Sequence, residues 1–217
     1  MIDSVADRAT AIAMHPNQAF RFDSDAAMLD WAVARGFAHI LAATADGPMV
    51  AHAPIVPAGD GAIRFHLARG NRLVPLLDGA RVVLSVAGPD GYITPNWYAD
   101  PVRQVPTWNY VAVEIDGIAR QLDEDGLIAQ LDALAALHEP RIFPDRPWTR
   151  AKMDDARFRA MLRAIIGFEV TITAVRGTNK LGQNKPLEDR IGAAEGLARS
   201  GDGALADLMR PTPTRTS

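Results

Sequence analysis

Three short blocks carry side chains suited to holding a ligand rather than filling a core. They are Gly91-Tyr92-Ile93-Thr94-Pro95-Asn96-Trp97-Tyr98, Val105-Pro106-Thr107-Trp108-Asn109-Tyr110 and Asn179-Lys180-Leu181-Gly182-Gln183-Asn184-Lys185-Pro186. Aromatic residues make up 6% of the chain, yet two of the four Trp and all three Tyr fall between 92 and 110. They are interleaved there with Asn, Thr and Pro, where a core strand would place Val, Ile and Leu. Rings stack on flat molecules and amides read their polar edges. Tyr and Trp also gather at protein interfaces, so a ligand site and a dimer interface are both open readings. The third block sets three amides and two ammonium groups within seven residues, a set able to cap a helix or to meet carbonyl and ring-nitrogen acceptors of a ligand.

A further cluster, His66-Leu67-Ala68-Arg69-Gly70-Asn71-Arg72, follows a predicted strand and opens a short helix. Backbone N–H groups at a helix start and a guanidinium can both meet phosphate oxygens, although Arg and Gly also fill solvated turns. The five histidines (His15, His39, His52, His66, His138) show no paired helical spacing and have no Cys beside them, which argues against a metal centre. His52 and His66 lie on neighbouring predicted strands. No nucleophile elbow, dinucleotide fingerprint or Walker sequence is present.

The elements that must position these groups follow from period and punctuation. Asp23 and Ser24 are helix caps before Met28, Trp31, Ala32 and Arg35, and Gly36 stops that helix. Phe37 to Ala45 reads as a strand, Asp46-Gly47 as a hairpin turn and Pro48 to Val56 as the return. Strands are expected over 62–68, 81–87, 107–122 and 168–175, with helices over 123–139 and 149–166. The result is a mainly β, α+β chain built on an antiparallel barrel. Residues 1–19 read as an Ala-rich arm, 20–197 as one domain, and 198–217 as a disordered tail rich in Gly, Asp, Pro and Thr. The basic residues of 149–166 read as a solvated face with ion pairs such as Asp155 with Arg159.

With 217 residues, 48% hydrophobic and 23% charged, the chain can bury a core. A net charge of −3 provides no general basic field for nucleic acid. The absence of Cys removes disulfides and thiolate chemistry. No signal-peptide pattern and no membrane-length apolar run is seen, so a cytoplasmic protein is expected.

At these blocks the chain resembles the PaiB-type family of FMN-binding transcriptional regulators, split-barrel flavoproteins related to pyridoxamine-phosphate oxidase. The resemblance runs from about Phe20 to Leu197. It is carried by Ala45-Asp46-Gly47, His66 to Asn71, the two aromatic blocks, Met161 to Glu169 and Lys180 to Lys185. The Pro-Thr-Trp-Asn-Tyr block is the specific part. The family pattern has Ser where this chain has Gly182, and an Ala-Asn-Pro step where it has Gly70-Asn71-Arg72. The resemblance implies an FMN-binding split β-barrel of antiparallel Greek-key type, assembled as a homodimer with FMN at the subunit interface. It implies that Arg69 and Asn71 hold the phosphate, that His52 and His66 neighbour the ring or ribityl chain, and that Trp108, Asn109 and Tyr110 line the ring. Lys180 and Gln183 would come from the other end of the fold, with the Lys180 cation near N1 and the C2 oxygen of the flavin. A regulator or redox sensor is the implied role, with DNA as a partner by family analogy alone. The alternatives are an FMN-dependent oxidoreductase and, behind it, a heme-binding split barrel using His15, His39 or His52.

Overall fold

In the computed structural model, residues 13–59 and 61–210 are described. Helix α1 (Asp25–Arg35) precedes β1 (Phe37–Thr44), β2 (Gly47–Pro57) and β3 (Ala62–Ala68). A short α2 (Val74–Leu77) leads to β4 (Arg81–Ile93), and β5 (Thr107–Gln121) is followed by α3 (Glu124–Ile142) and α4 (Asp155–Leu162). The last strand is β6 (Ile165–Lys180), then α5 (Leu187–Ser200) and α6 (Gly203–Met209).

The strands close a barrel in the order β1-β2-β3-β6-β5-β4, and the registered pairs are antiparallel. Strict alternation explains the closure. On β1, Ala38, Ile40 and Ala42 face in; on β3, Ile63, Phe65 and Leu67 do; on β5, Val111, Val113 and Ile115 do. Phe65 and Phe168 stack with ring centroids 5.4 Å apart and are wholly buried. Each such buried side chain contributes about 1.5–3 kcal/mol of hydrophobic stabilisation.

The β1–β2 hairpin and its register, His39 opposite His52 and Leu41 opposite Val50, follow the Asp-Gly turn signal. Strands β4 and β6 outrun their sequence limits: β4 continues through Gly91-Tyr92-Ile93 and β6 reaches Lys180. The expected helix over 149–166 is shorter. A 3-10 turn at Arg150–Lys152 comes first, Asp154 then caps α4 by accepting from the Arg157 N–H, and Ile165 already pairs with Ala68. The disordered tail expected from 198 is instead helical as far as Met209, because Leu205, Ala206 and Met209 find burial. Residues 211–217 and most of the N-terminal arm lie outside the described part.

The sequence reading draws one domain over 20–197. The described residues group into two compact units, each taking segments from distant parts of the chain. One holds 26–86 and 114–175; the other holds 13–25, 87–113 and 176–210. No helix among the described residues is long and apolar enough to cross a membrane.

Candidate functional site

The second of these units gathers residues of all three blocks around one cleft of about 300 Å³, at the small end of ligand cavities. Strand β5 starts at Thr107, which puts Thr107 and buried Asn109 on its wall, and the end of β6 delivers Lys180. The Lys180 ammonium donates to Thr107 Oγ1 at 2.6 Å and sits 5.9 Å above the Phe20 ring. Lys185 donates to Gln104 Oε1 at 2.5 Å and lies 5.3 Å from the Tyr98 ring centroid. Both ammonium groups are therefore held by uncharged oxygens and aromatic faces, and no carboxylate lines the cleft. Burial pushes Lys180 below the ordinary lysine value, and it pushes the Tyr98 phenol up, helped by the Asp189 carboxylate. A carboxylate-free cleft with two cations and an amide is matched to an anionic or acceptor-rich edge of a ligand.

The loop after β6 is built to hold this arrangement. Gly182 has φ +81°, a conformation that L side chains rarely adopt. Gln183 closes the turn on both sides: its Oε1 accepts from the Leu181 N–H at 2.8 Å and its Nε2 donates to the Asn179 carbonyl at 2.6 Å. Its amide is thus engaged with its own loop, which makes Gln183 a positioning residue. Asn109 is 2% exposed, and its Nδ2 lies 3.4 Å from Met209 Sδ, a weak acceptor.

The aromatic blocks separate into two kinds. Tyr92 and Trp108 are exposed and meet edge-on at 6.3 Å, with Trp108 Nε1 donating to Asp90 at 2.8 Å. Tyr110 is half-buried further along β5. Trp97 is structural, packed against α5 where a Cβ on Gly196 would come within 2.3 Å of its ring.

The remaining candidates belong to the other unit. Arg69 is exposed; its backbone N–H and its Nε donate to the carbonyls of Ala164 and Arg163, tying the loop to the start of β6. Asn71 Oδ1 accepts from the Leu73 N–H, so this side chain shapes the turn before α2. His52 is exposed on β2 and stands edge-on to His39 across the strand pair, centroids 4.9 Å apart. His66 points under α3, where Gln130 Nε2 lies 3.0 Å from its Nδ1. Burial pushes His66 below the ordinary histidine value. Among the described residues no group of three or more His, Cys, Asp or Glu is placed to hold a metal ion.

Sequence reasoning quoted Thr107 and Lys185 within their blocks without assigning them to the site; it gave Asn17 of the N-terminal arm and Phe20 no site role, and His15 only a heme one. The one local signal for the arm was Asn17, whose side chain caps the turn that buries Phe20.

A closed antiparallel barrel is the architecture of the split-barrel flavoproteins. A family model described as "Putative FMN-binding domain" matches residues 14–174. The chain belongs to that family, whose cofactor is FMN. It is 31% identical over 136 residues to the protease synthase and sporulation protein PAI 2 of Bacillus subtilis, covering 62% of this chain and 64% of that protein. Among solved structures, the FAD and heme binding protein from Mycobacterium smegmatis shares the fold, with TM-score 0.53, 19% identity and coverage of 74% and 73%. The flavocytochrome Anf3 from Azotobacter vinelandii does so with TM-score 0.54, 17% identity and coverage of 74% and 69%.

Proposed function

We propose that this protein is a cytoplasmic homodimer that binds FMN and uses its occupancy or redox state as a regulatory signal. The observation that carries the binding site is the pair of ammonium groups, Lys180 and Lys185, facing a carboxylate-free cleft beside Asn109 and Thr107. These residues fit an electron-rich edge of the cofactor. Bound FMN supplies reversible one- and two-electron chemistry. The chain's own contribution is electrostatic and steric: Lys180 presents a cation whose position Thr107 fixes, Gln183 holds the loop that carries it, and Trp108 and Tyr110 offer ring surface. Arg69 keeps the phosphate role implied by the family resemblance, with its exposed guanidinium as the binding group. The regulatory role rests on the same resemblance, and DNA enters by analogy alone.

The test is the visible spectrum of purified protein followed by titration with FMN, reading flavin fluorescence. Saturable quenching at micromolar affinity or tighter is expected, with one FMN per chain. Lys180→Met should weaken binding about tenfold, the size of one charge-assisted hydrogen bond. Absence of binding by folded protein would overturn the site. Rapid oxidation of reduced nicotinamide with added FMN would replace the regulatory reading with an oxidoreductase, and a Soret band with added hemin would favour heme at the His39–His52 pair or His15.

A further inference from the structure

A second cavity, of about 380 Å³, opens in the unit built from 26–86 and 114–175. Its walls are Leu131 of α3, Met153, and Phe158, Met161 and Leu162 of α4. His66 of β3 lies among its lining residues, and Trp148 and Met161 are exposed. Leu127, Phe158 and Leu162 form a small core of their own, against which Leu131, Met153 and Ile165 pack. The cavity is therefore framed by rigid packing, while two thioethers give it an adaptable lining.

Three features describe what it would take. First, the walls are apolar and one is aromatic, which suits a ring. Second, His66 offers one directed polar group. The Gln130 amide lies 3.0 Å from His66 Nδ1, which leaves Nε2 as the ring nitrogen open to a ligand; with the amide donating, Nε2 carries the proton of the neutral ring. Gln130 is fully buried, and its Oε1 has no hydrogen-bond partner. Third, the two charged residues of the lining cancel. Arg150 forms a two-point ion pair with Asp132, Nε to Oδ1 at 3.1 Å and Nη2 to Oδ2 at 3.2 Å, and its guanidinium lies over Phe158. A phosphate or carboxylate finds no free cation of the kind Lys180 and Lys185 supply in the other cleft.

We propose that this cavity is a second ligand site, separate from the flavin cleft, for an uncharged aromatic molecule with a hydrogen-bond acceptor at its buried end. The acceptor meets His66 Nε2–H, the ring lies among Leu131, Phe158 and Leu162, and Met161 and Trp148 flank the mouth. The site does not depend on the FMN assignment.

The experiment uses the full chain with its methionine methyl groups isotope-labelled and 2-naphthol as probe. Saturable shifts confined to the Met153 and Met161 methyls are expected, with Met28, Met49 and Met209 unmoved. The anionic analogue 2-naphthoate should bind at least tenfold more weakly. His66→Phe, which keeps the ring shape and removes the donor, should weaken 2-naphthol about tenfold, and Leu131→Trp should abolish it by filling the space. The same methyl spectra report whether either variant is folded. Shifts absent from Met153 and Met161, binding unaffected by Leu131→Trp in folded protein, tighter binding of the naphthoate, or displacement of 2-naphthol by FMN would each overturn the proposal.

Discussion

At the scale of single residues, Lys180 and Gly182 carry the most. Lys180 is held low by burial, so its charge is lost at a lower pH than that of an exposed lysine. FMN affinity that depends on this cation should be constant near neutrality and should fall as pH rises through the lowered value, before pH 10.5 is reached. A Kd series from pH 7 to 10.5 checks this; an unchanged Kd throughout would remove Lys180 from binding. The stability sign runs the other way. The unfolded chain holds the Lys180 proton up to its ordinary value, so folding gains stability as pH rises between the folded and unfolded values. His66 behaves similarly at acid pH: its folded value is lowered from 6.5, so stability should drop as pH falls below about 6.5 and level off beneath the folded value. His66→Phe should flatten that slope in urea melts taken from pH 7 to 4. Gly182 stands where the family pattern has Ser. A Cβ there meets nothing closer than 3.8 Å, so the cost of a side chain is conformational, from φ +81°. Gly182→Ser should therefore lose about 1 kcal/mol of stability, read as a lower urea midpoint at constant m.

At the scale of elements, α5 explains why the first aromatic block is only partly a ligand block. Gly192 and Gly196, one turn apart, let the helix ride over Trp97: a Cβ on Gly192 would lie 2.2 Å from the Trp97 carbonyl oxygen. Backbone cannot yield as a flexible side chain can. Gly196→Ala or Gly192→Ala should each destabilise by about 1–2 kcal/mol, because overpacking exceeds the roughly 1 kcal/mol that alanine gains in a helix; calorimetry reads it as a lowered Tm. An unchanged Tm would mean that Trp97 is not wedged there. The periodicity of residues 149–166 supported a long helix, yet the element begins only at Asp155, because Asp154 is the residue that can cap it. Of its two basic residues, Arg159 pairs with Asp155 at 2.9 Å, as the i,i+4 spacing foretold, and also with Glu124. Such exposed pairs contribute little to stability.

For the whole molecule, the residues named from the sequence are drawn from both compact units. Trp108, Asn109, Tyr110, Lys180 and Gln183 belong to one compact unit, and His52, His66, Arg69 and Asn71 to the other. The dimer proposal predicts a molecular mass twice the 23.4 kDa of the chain in sedimentation, with two FMN bound per dimer. A monomer that binds FMN at full affinity would show that no partner subunit is needed.

The sequence by itself determined the barrel strands, the Asp-Gly hairpin, the α1 stop at Gly36 and the residue types of the three blocks. All of these are local, set by period, turn chemistry and backbone freedom within a few residues. What the tertiary structure decided was partnership. Thr107 and Lys180 stand 73 positions apart and His66 and Gln130 64 apart, and Trp97 meets glycines near the other end of the chain. Whether a polar or aromatic side chain faces a ligand, a helix or its own loop depends on long-range register and on which helix covers which face. Local periodicity contains neither, so it could not show that Trp97 packs against α5, that Gln183 closes its own loop or that Asn71 shapes the turn before α2.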